Sequence, residues 1–161
     1  MSASATVSTR WEQFLGTRSD AQDLRDRFYE AFSIGDSADS RNEGARLIRE
    51  GNKTATSDLL WSYQADGARP PVSGSVSIVL DGGGEPVCVV ETVEVDTTPF
   101  DAVDEQFVRD YGEWGGTLES WRERAWTYYS AVCRDLGRNP ARDMPLICER
   151  LSVLHVFVDE A

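Results

Sequence analysis

Lysine is almost missing from this chain, with one residue, Lys53, among 16 basic side chains of which the rest are arginine. Histidine is equally scarce, His155 being the only one, and the three cysteines, Cys88, Cys133 and Cys148, lie far apart. A lone histidine and an odd count of widely separated cysteines without a CxxC pair argue against a structural zinc site and a disulfide framework. No run of about 18 apolar residues occurs, and the first residues, Met1 to Thr9, lack a basic and apolar signal pattern. The expectation is a cytoplasmic protein with no membrane partner. Positive charge is short as well: 28 acidic groups leave a net charge of −12. Residues 81–123 hold 12 acidic and 2 basic groups, which is most of that excess. Long nucleic acid binds through neutralisation of its phosphates, so any contact with RNA has to use a local basic face or a small fragment.

What is present is organised around Gly51-Asn52-Lys53-Thr54-Ala55-Thr56. In a chain that uses arginine for positive charge, a retained amine points to a task arginine cannot perform, because lysine loses its proton on burial and arginine does not. Gly51 follows a helical pattern and suits the left-handed position after a helix, while Thr54 to Leu60 alternates like a strand. Lys53 is therefore expected at a helix-to-strand corner. Side chains 53 and 56 of a regular strand point to opposite faces, so a shared site for Lys53 and Thr56 demands a late strand start or irregular backbone between them. Arg46 and Arg49 precede Lys53 at helical spacing and form the best candidate basic face, although Glu43 and Glu50 equally suit a salt-bridged, solvated helix.

The chain, at 161 residues, reads as one domain over 20–161 behind a flexible tail, 1–19, with a short helix carrying Trp11, Phe14 and Leu15. Leu24, Phe28, Ala31 and Phe32 predict a helix over 20–33. A second helix, capped near Asp39 or Ser40, runs to Glu50 and buries Ala45 and Ile48. Trp61 and Tyr63 lead into a polar loop, 64–72. Val76, Ile78 and Leu80 predict a strand, Asp81 to Gly84 a turn, and 87–95 the returning strand of a hairpin. Helical spacing resumes from Pro99. Thr117 caps a long helix whose buried face runs through Leu118, Trp121, Ala125, Tyr128, Val132 and Leu136, leaving Trp126 and Tyr129 beside it. One or two strands over 145–157 close the chain. The short hairpin and the missing dinucleotide fingerprint disfavour a doubly wound sheet and favour a curled sheet flanked by helices.

Several of these stretches together, Ile34-Gly35-Asp36-Ser37, Lys53-Thr54-Ala55-Thr56, Ser77 to Gly82 with Pro86-Val87-Cys88, Gly112-Glu113 ahead of Leu118 to Trp121, and Asp143 to Arg150, resemble the ASCH domain, and specifically its longer bacterial branch. The resemblance covers about residues 30–157. It implies an α+β fold of the PUA-like superfamily, a small, mostly antiparallel β-barrel surrounded by helices, with a cleft associated with RNA or nucleosides. Two positions depart from the pattern: Ser75 stands where Asp is frequent, and Trp114 where Gly is common.

One small bacterial branch of the family hydrolyses the amide of N4-acetylcytidine with Lys, Thr and Glu, roles that would fall on Lys53, Thr56 and Glu113. A longer branch looks like a nuclease of single-stranded RNA, and a third reading is a binding module without turnover. Amide hydrolysis needs a nucleophile, a proton acceptor and donors for the oxyanion. Thr56 supplies the first and a partly neutral Lys53 the second, while Glu113 orients the lysine or protonates the leaving amine. Glu113 also raises the lysine pKa, so the chemistry requires an apolar pocket to lower it. Trp61, Tyr63 and Trp114 are the candidates to line that pocket and stack on a base. A nuclease metal could be sought at Glu91, Glu94, Asp96 or Asp101, but a solvated acidic face explains them better, and no metal or cofactor is expected. The N-terminal helices offer a surface for a homodimer.

Overall fold

A computed structural model describes residues 3–158. The chain opens with helix α1 (Ala3–Gly16), α2 (Ala21–Arg27), strand β1 (Phe28–Phe32) and α3 (Ala38–Arg49). Strand β2 (Ala55–Leu59) runs straight into α4 (Leu60–Asp66), followed by the hairpin of β3 (Val76–Leu80) and β4 (Pro86–Pro99). A 3₁₀ turn (Phe100–Ala102), α5 (Glu105–Tyr111), α6 (Leu118–Asp135) and β5 (Pro145–Val156) complete it.

The strands form one sheet in the order β1-β3-β4-β5-β2, antiparallel except for the β1–β3 pair. This corrects the expected barrel. Among the described residues β1 and β2 are not hydrogen-bonded to each other, so the sheet stays open. Its central strands are long, and the β4–β5 register shifts at Val89/Val90 and at Thr92/Glu94. Such bulges bend and twist a strand. Residues of both outer strands line one cleft, which occupies the seam where the ring fails to close.

Three apolar clusters fill the spaces between sheet and helices. The largest joins Ala55, Leu59 and Leu146 of the sheet to Phe107, Val108 and Tyr111 of α5 and Trp121, Ala125 and Tyr129 of α6. A second holds Phe14, Leu15 and Leu24 against Val76, Ile78 and Val89, so most of the expected tail is helix packed on the sheet. Its first two residues lie outside the described residues. Ala45 and Ile48 of α3 complete the third with Val79, Cys88 and Val90.

Four further expectations change. The helix over 20–33 ends at Arg27, because parallel pairing of Phe28, Ala31 and Phe32 with Val76, Ile78 and Val79 overrides their helical spacing. The loop over 64–72 begins as α4, which carries Trp61 and Tyr63 and stops at the left-handed Gly67. The cap of α3 is Ser37, whose hydroxyl accepts from Ser40 N in a reciprocal capping box. On α6 the buried face is turned by one residue: Tyr129 is fully buried and its hydroxyl lies 2.6 Å from Ser57 Oγ, while Tyr128 faces the cleft. Trp126, the other residue set beside that face, carries the Arg142 guanidinium 4.0 Å from its ring centre. His155 is a strand residue against Phe14 and Phe157. Among the described residues no helix is long and apolar enough to cross a membrane.

Candidate active site

The site begins at the end of α3. Gly51, at φ 80°, lets Gly51 N donate to Ile48 O and Asn52 N to Leu47 O, the paired bonds of a Schellman closure. Lys53 N also donates to Leu47 O, which turns the chain inward before the β2 ladder starts at Ala55. The late strand start that a shared site requires is therefore present. The Lys53 side chain enters the protein with no solvent exposure.

A segment nearly sixty residues later meets this corner. Thr54 N donates to Asp110 O at 2.7 Å, anchoring the end of α5. The next turn runs through Gly112 at φ 71°, and a Cβ there would sit 2.2 Å from Asn52 O and 3.1 Å from Lys53 Cα. Only glycine permits so close an approach of two backbones. It delivers Glu113 to the lysine. Lys53 Nζ lies 3.0 Å from Glu113 Oε1, donates to Tyr111 O at 3.1 Å, and stands 3.2 Å from the centre of the Tyr111 ring. Burial pulls the ammonium down to about 8, although the Glu113 charge and hydrogen bond act the other way. The tension noted in the sequence is resolved in favour of burial.

Glu113 and Thr56 face the cleft, a space of about 820 Å³ that is a usual size for a small-molecule site. Lys53 does not line it, but its ion-pair partner Glu113 does. Thr56 is 8% exposed and pairs across the ladder with Glu149, which faces the cleft as well. Glu149 Oε1 accepts from Thr92 Oγ1 at 3.0 Å, and burial beside Glu30 and Asp58 pushes its carboxyl up to about 7. Asp58 and Glu30 are also raised, mainly by desolvation: both remain open to solvent at the seam but are hemmed in by protein.

Of the expected substrate contacts, Tyr63 and Trp114 line the cleft. Trp114 is the one non-glycine residue at positive φ among those described, at 62°, the backbone conformation that suits the glycine found there in the resembling pattern. A side chain in that region costs about 1–2 kcal/mol. The ring offsets this by packing on Tyr111, Trp121 and Tyr128 at 5.1 to 6.1 Å between centroids. Ser75, the other departure, holds its turn by accepting from Val72 N.

Arg46, Arg49 and Trp61 do not line the cleft. Arg46 is held by Glu43 and Glu50 on the exposed face of α3, Arg49 is likewise exposed, and Trp61 carries the Arg138 guanidinium 3.6 Å above its ring. Glu91, one of the acids weighed for a metal, is paired with Arg27. Among the described residues no three His, Cys, Asp or Glu side chains are grouped to hold a metal. The sequence reading missed Glu30, Asp58, Glu149, Tyr128, Arg41 and Arg124 on the cleft wall. Asp58 was within reach of it, since strand alternation puts residues 56 and 58 on one face. The others become neighbours only through the sheet.

The profile of the ASCH domain matches residues 30–155. The crystal structure of an ASCH domain from Lactobacillus crispatus JV V101 is 28% identical, with a TM-score of 0.82 over 89% of this chain and 91% of that one. A protein of Enterococcus faecalis V583 is 25% identical, with a TM-score of 0.83 over 94% of this chain and 90% of that one. No protein of curated function matches the chain. With the profile spanning most of the sequence and the open PUA-like sheet superposing on these bacterial structures, the chain belongs to the ASCH domain family.

Proposed function

We propose that the protein hydrolyses an amide on a modified nucleoside, with N4-acetylcytidine as the reference substrate. The carrying observation is the desolvated Lys53–Glu113 pair set against a ligand-sized cleft on whose wall Thr56 stands. PUA-like folds are associated with RNA and nucleosides. The chemistry of this cleft favours the smaller of the two. Its lining includes the carboxylates of Glu30, Asp36, Asp58, Glu113, Asp135 and Glu149 against the guanidinium groups of Arg41 and Arg124. That balance repels a phosphodiester chain and suits an uncharged base, whose exocyclic N–H groups carboxylates accept. Tyr63, Tyr128 and Trp114 offer faces for stacking.

In this reading Thr56 Oγ1 attacks the acetyl carbonyl. The proton shared by Lys53 and Glu113 passes from Glu113 to the departing cytosine amine, whose poor leaving ability makes that transfer necessary. Lys53 keeps the proton available: at about 8 it is largely protonated at neutral pH, yet gives the proton up far more readily than an exposed lysine.

The test is incubation of the purified protein with N4-acetylcytidine, following acetate and cytidine. Turnover that disappears in Lys53→Ala is the expected result. Cleavage of labelled single-stranded RNA without acetate release would replace this reading by the nuclease one, and salt-sensitive RNA binding without turnover by the binding module.

A further inference from the structure

We infer that Glu149 is the group that takes the proton from Thr56, and that Thr92 is the residue that positions it. The assignment rests on the amidohydrolase reading and completes it, because that reading leaves the threonine without a base. Lys53 Nζ is fully enclosed between the Tyr111 ring, the Tyr111 carbonyl and Glu113, and it does not reach the cleft wall. Glu149 does. Thr56 and Glu149 are direct partners in the β2–β5 ladder and both border the cleft. Directly opposed residues have Cβ atoms about 4.5–5.5 Å apart, within the span of a glutamate side chain and a threonine hydroxyl. One carboxylate oxygen, Oε1, is tied to Thr92 Oγ1 on β4, which leaves Oε2 for the substrate side. Thr92 is itself 2% exposed, so this anchor is buried beneath the cleft wall.

The surroundings of Glu149 suit a base that works near neutrality. Burial does most to favour its protonated form, the Thr92 hydroxyl partly restores the ionised one, Glu30 from β1 and Asp58 from β2 oppose its negative charge, and Tyr29 and Tyr63 face the same group of acids. A carboxylate poised near 7 takes a proton and returns it within one cycle.

The proton and electron count closes. As Thr56 Oγ1 bonds to the acetyl carbon, its proton passes to Glu149. The C–N bond then breaks and the nitrogen takes a proton from Glu113, resupplied by Lys53, leaving an acyl-threonine ester and the free amine. Water adds to the ester carbon while the neutral Lys53 and Glu113 accept its proton. The ester C–O bond breaks, Glu149 returns its proton to Thr56, and acetic acid departs and ionises to acetate in the solvent.

The experiment measures N4-acetylcytidine hydrolysis against pH for the full chain, Glu149→Gln and Thr92→Val, with thermal melts as the folding control. The wild type is expected to show a bell-shaped kcat/KM, its acid limb set by Glu149 and its alkaline limb by Lys53. Glu149→Gln should lose about 100-fold or more in kcat and its acid limb. Thr92→Val should keep the fold, lose a smaller factor, and move the acid limb to higher pH, because the hydrogen bond that favours the carboxylate is gone. Wild-type turnover with Glu149→Gln within threefold of it overturns this assignment alone. An inert wild type overturns the amidohydrolase reading and this assignment with it. If Glu149→Gln does not fold, an unmoved acid limb in Thr92→Val overturns the assignment.

Discussion

Two cations seven residues apart, Arg46 on α3 and Lys53 just beyond its end, have opposite fates. Arg46 stands in water between Glu43 and Glu50, where solvent screens such ion pairs to little net stabilisation. Lys53 has one carboxylate partner, one carbonyl and an aromatic ring, and no solvent. Both are near acids, so proximity of opposite charge does not separate them. Desolvation does, and only the buried amine acquires a proton affinity useful at neutral pH.

The sharpest way to break this contrast is to neutralise each cation. Lys53→Met should abolish acetate release and lower stability by about 3–5 kcal/mol, since it leaves Glu113 without its buried partner. Arg46→Met should leave both turnover and the melting transition essentially unchanged. Equal losses in a paired activity and melting assay would erase the distinction. Gly112→Ala comes next. Its Cβ would press on the Asn52 carbonyl in a left-handed backbone, so the loop holding Glu113 has to retreat. The expected cost is about 2–3 kcal/mol, with a larger fall in kcat than in stability. A denaturant series with the pH–rate profile separates the two effects.

A smaller effect is expected from the substrate side. A 5′-phosphate on N4-acetylcytidine should raise KM about tenfold in dilute salt, with the penalty shrinking as salt rises, because the cleft carries excess carboxylate. A phosphate that tightens binding would redirect attention to Arg41 and Arg124.

A separate readout is the pH dependence of stability, whose sign follows from which state binds the proton. The unfolded chain protonates Lys53 below its ordinary 10.5, whereas the folded chain does so only below about 8. This contribution is therefore complete above 10.5 and lost as pH falls to about 8. Glu149 acts in the other window: the folded chain keeps a proton up to about 7 that the unfolded chain releases near 4.5, so stability falls as pH rises between them. Glu149→Gln should flatten the lower slope and Lys53→Met the upper one in melts taken across pH.

Much of the geometry around Lys53 is legible in the sequence. The glycine after a helical pattern, the isolated lysine and the alternation after it are local signals, and they describe the Lys53 corner correctly. Glu113 was reached by resemblance, and the structure supplies its cause in the glycine that lets two backbones touch. Other features were not legible. Phe28, Ala31 and Phe32 have helical spacing, yet β3 claims them for the sheet. Arg49 was grouped with Lys53 by helical spacing, a one-dimensional measure that says nothing about which side of α3 meets the core. In the sequence Glu149 is one acid among 28, and its pairing with Thr56 exists only across the ladder.

By itself, then, the amino-acid order determined the corner after α3, the Thr117 cap of α6, the hairpin and the placement of the one lysine, because these depend on neighbours within a few residues. Tertiary structure decided that the sheet stays open, that the gap between its outer strands becomes the cleft, and which acids face one another there. Those outcomes depend on strand pairing and desolvation between segments nearly a hundred residues apart, and no local pattern encodes the dielectric that a side chain will meet.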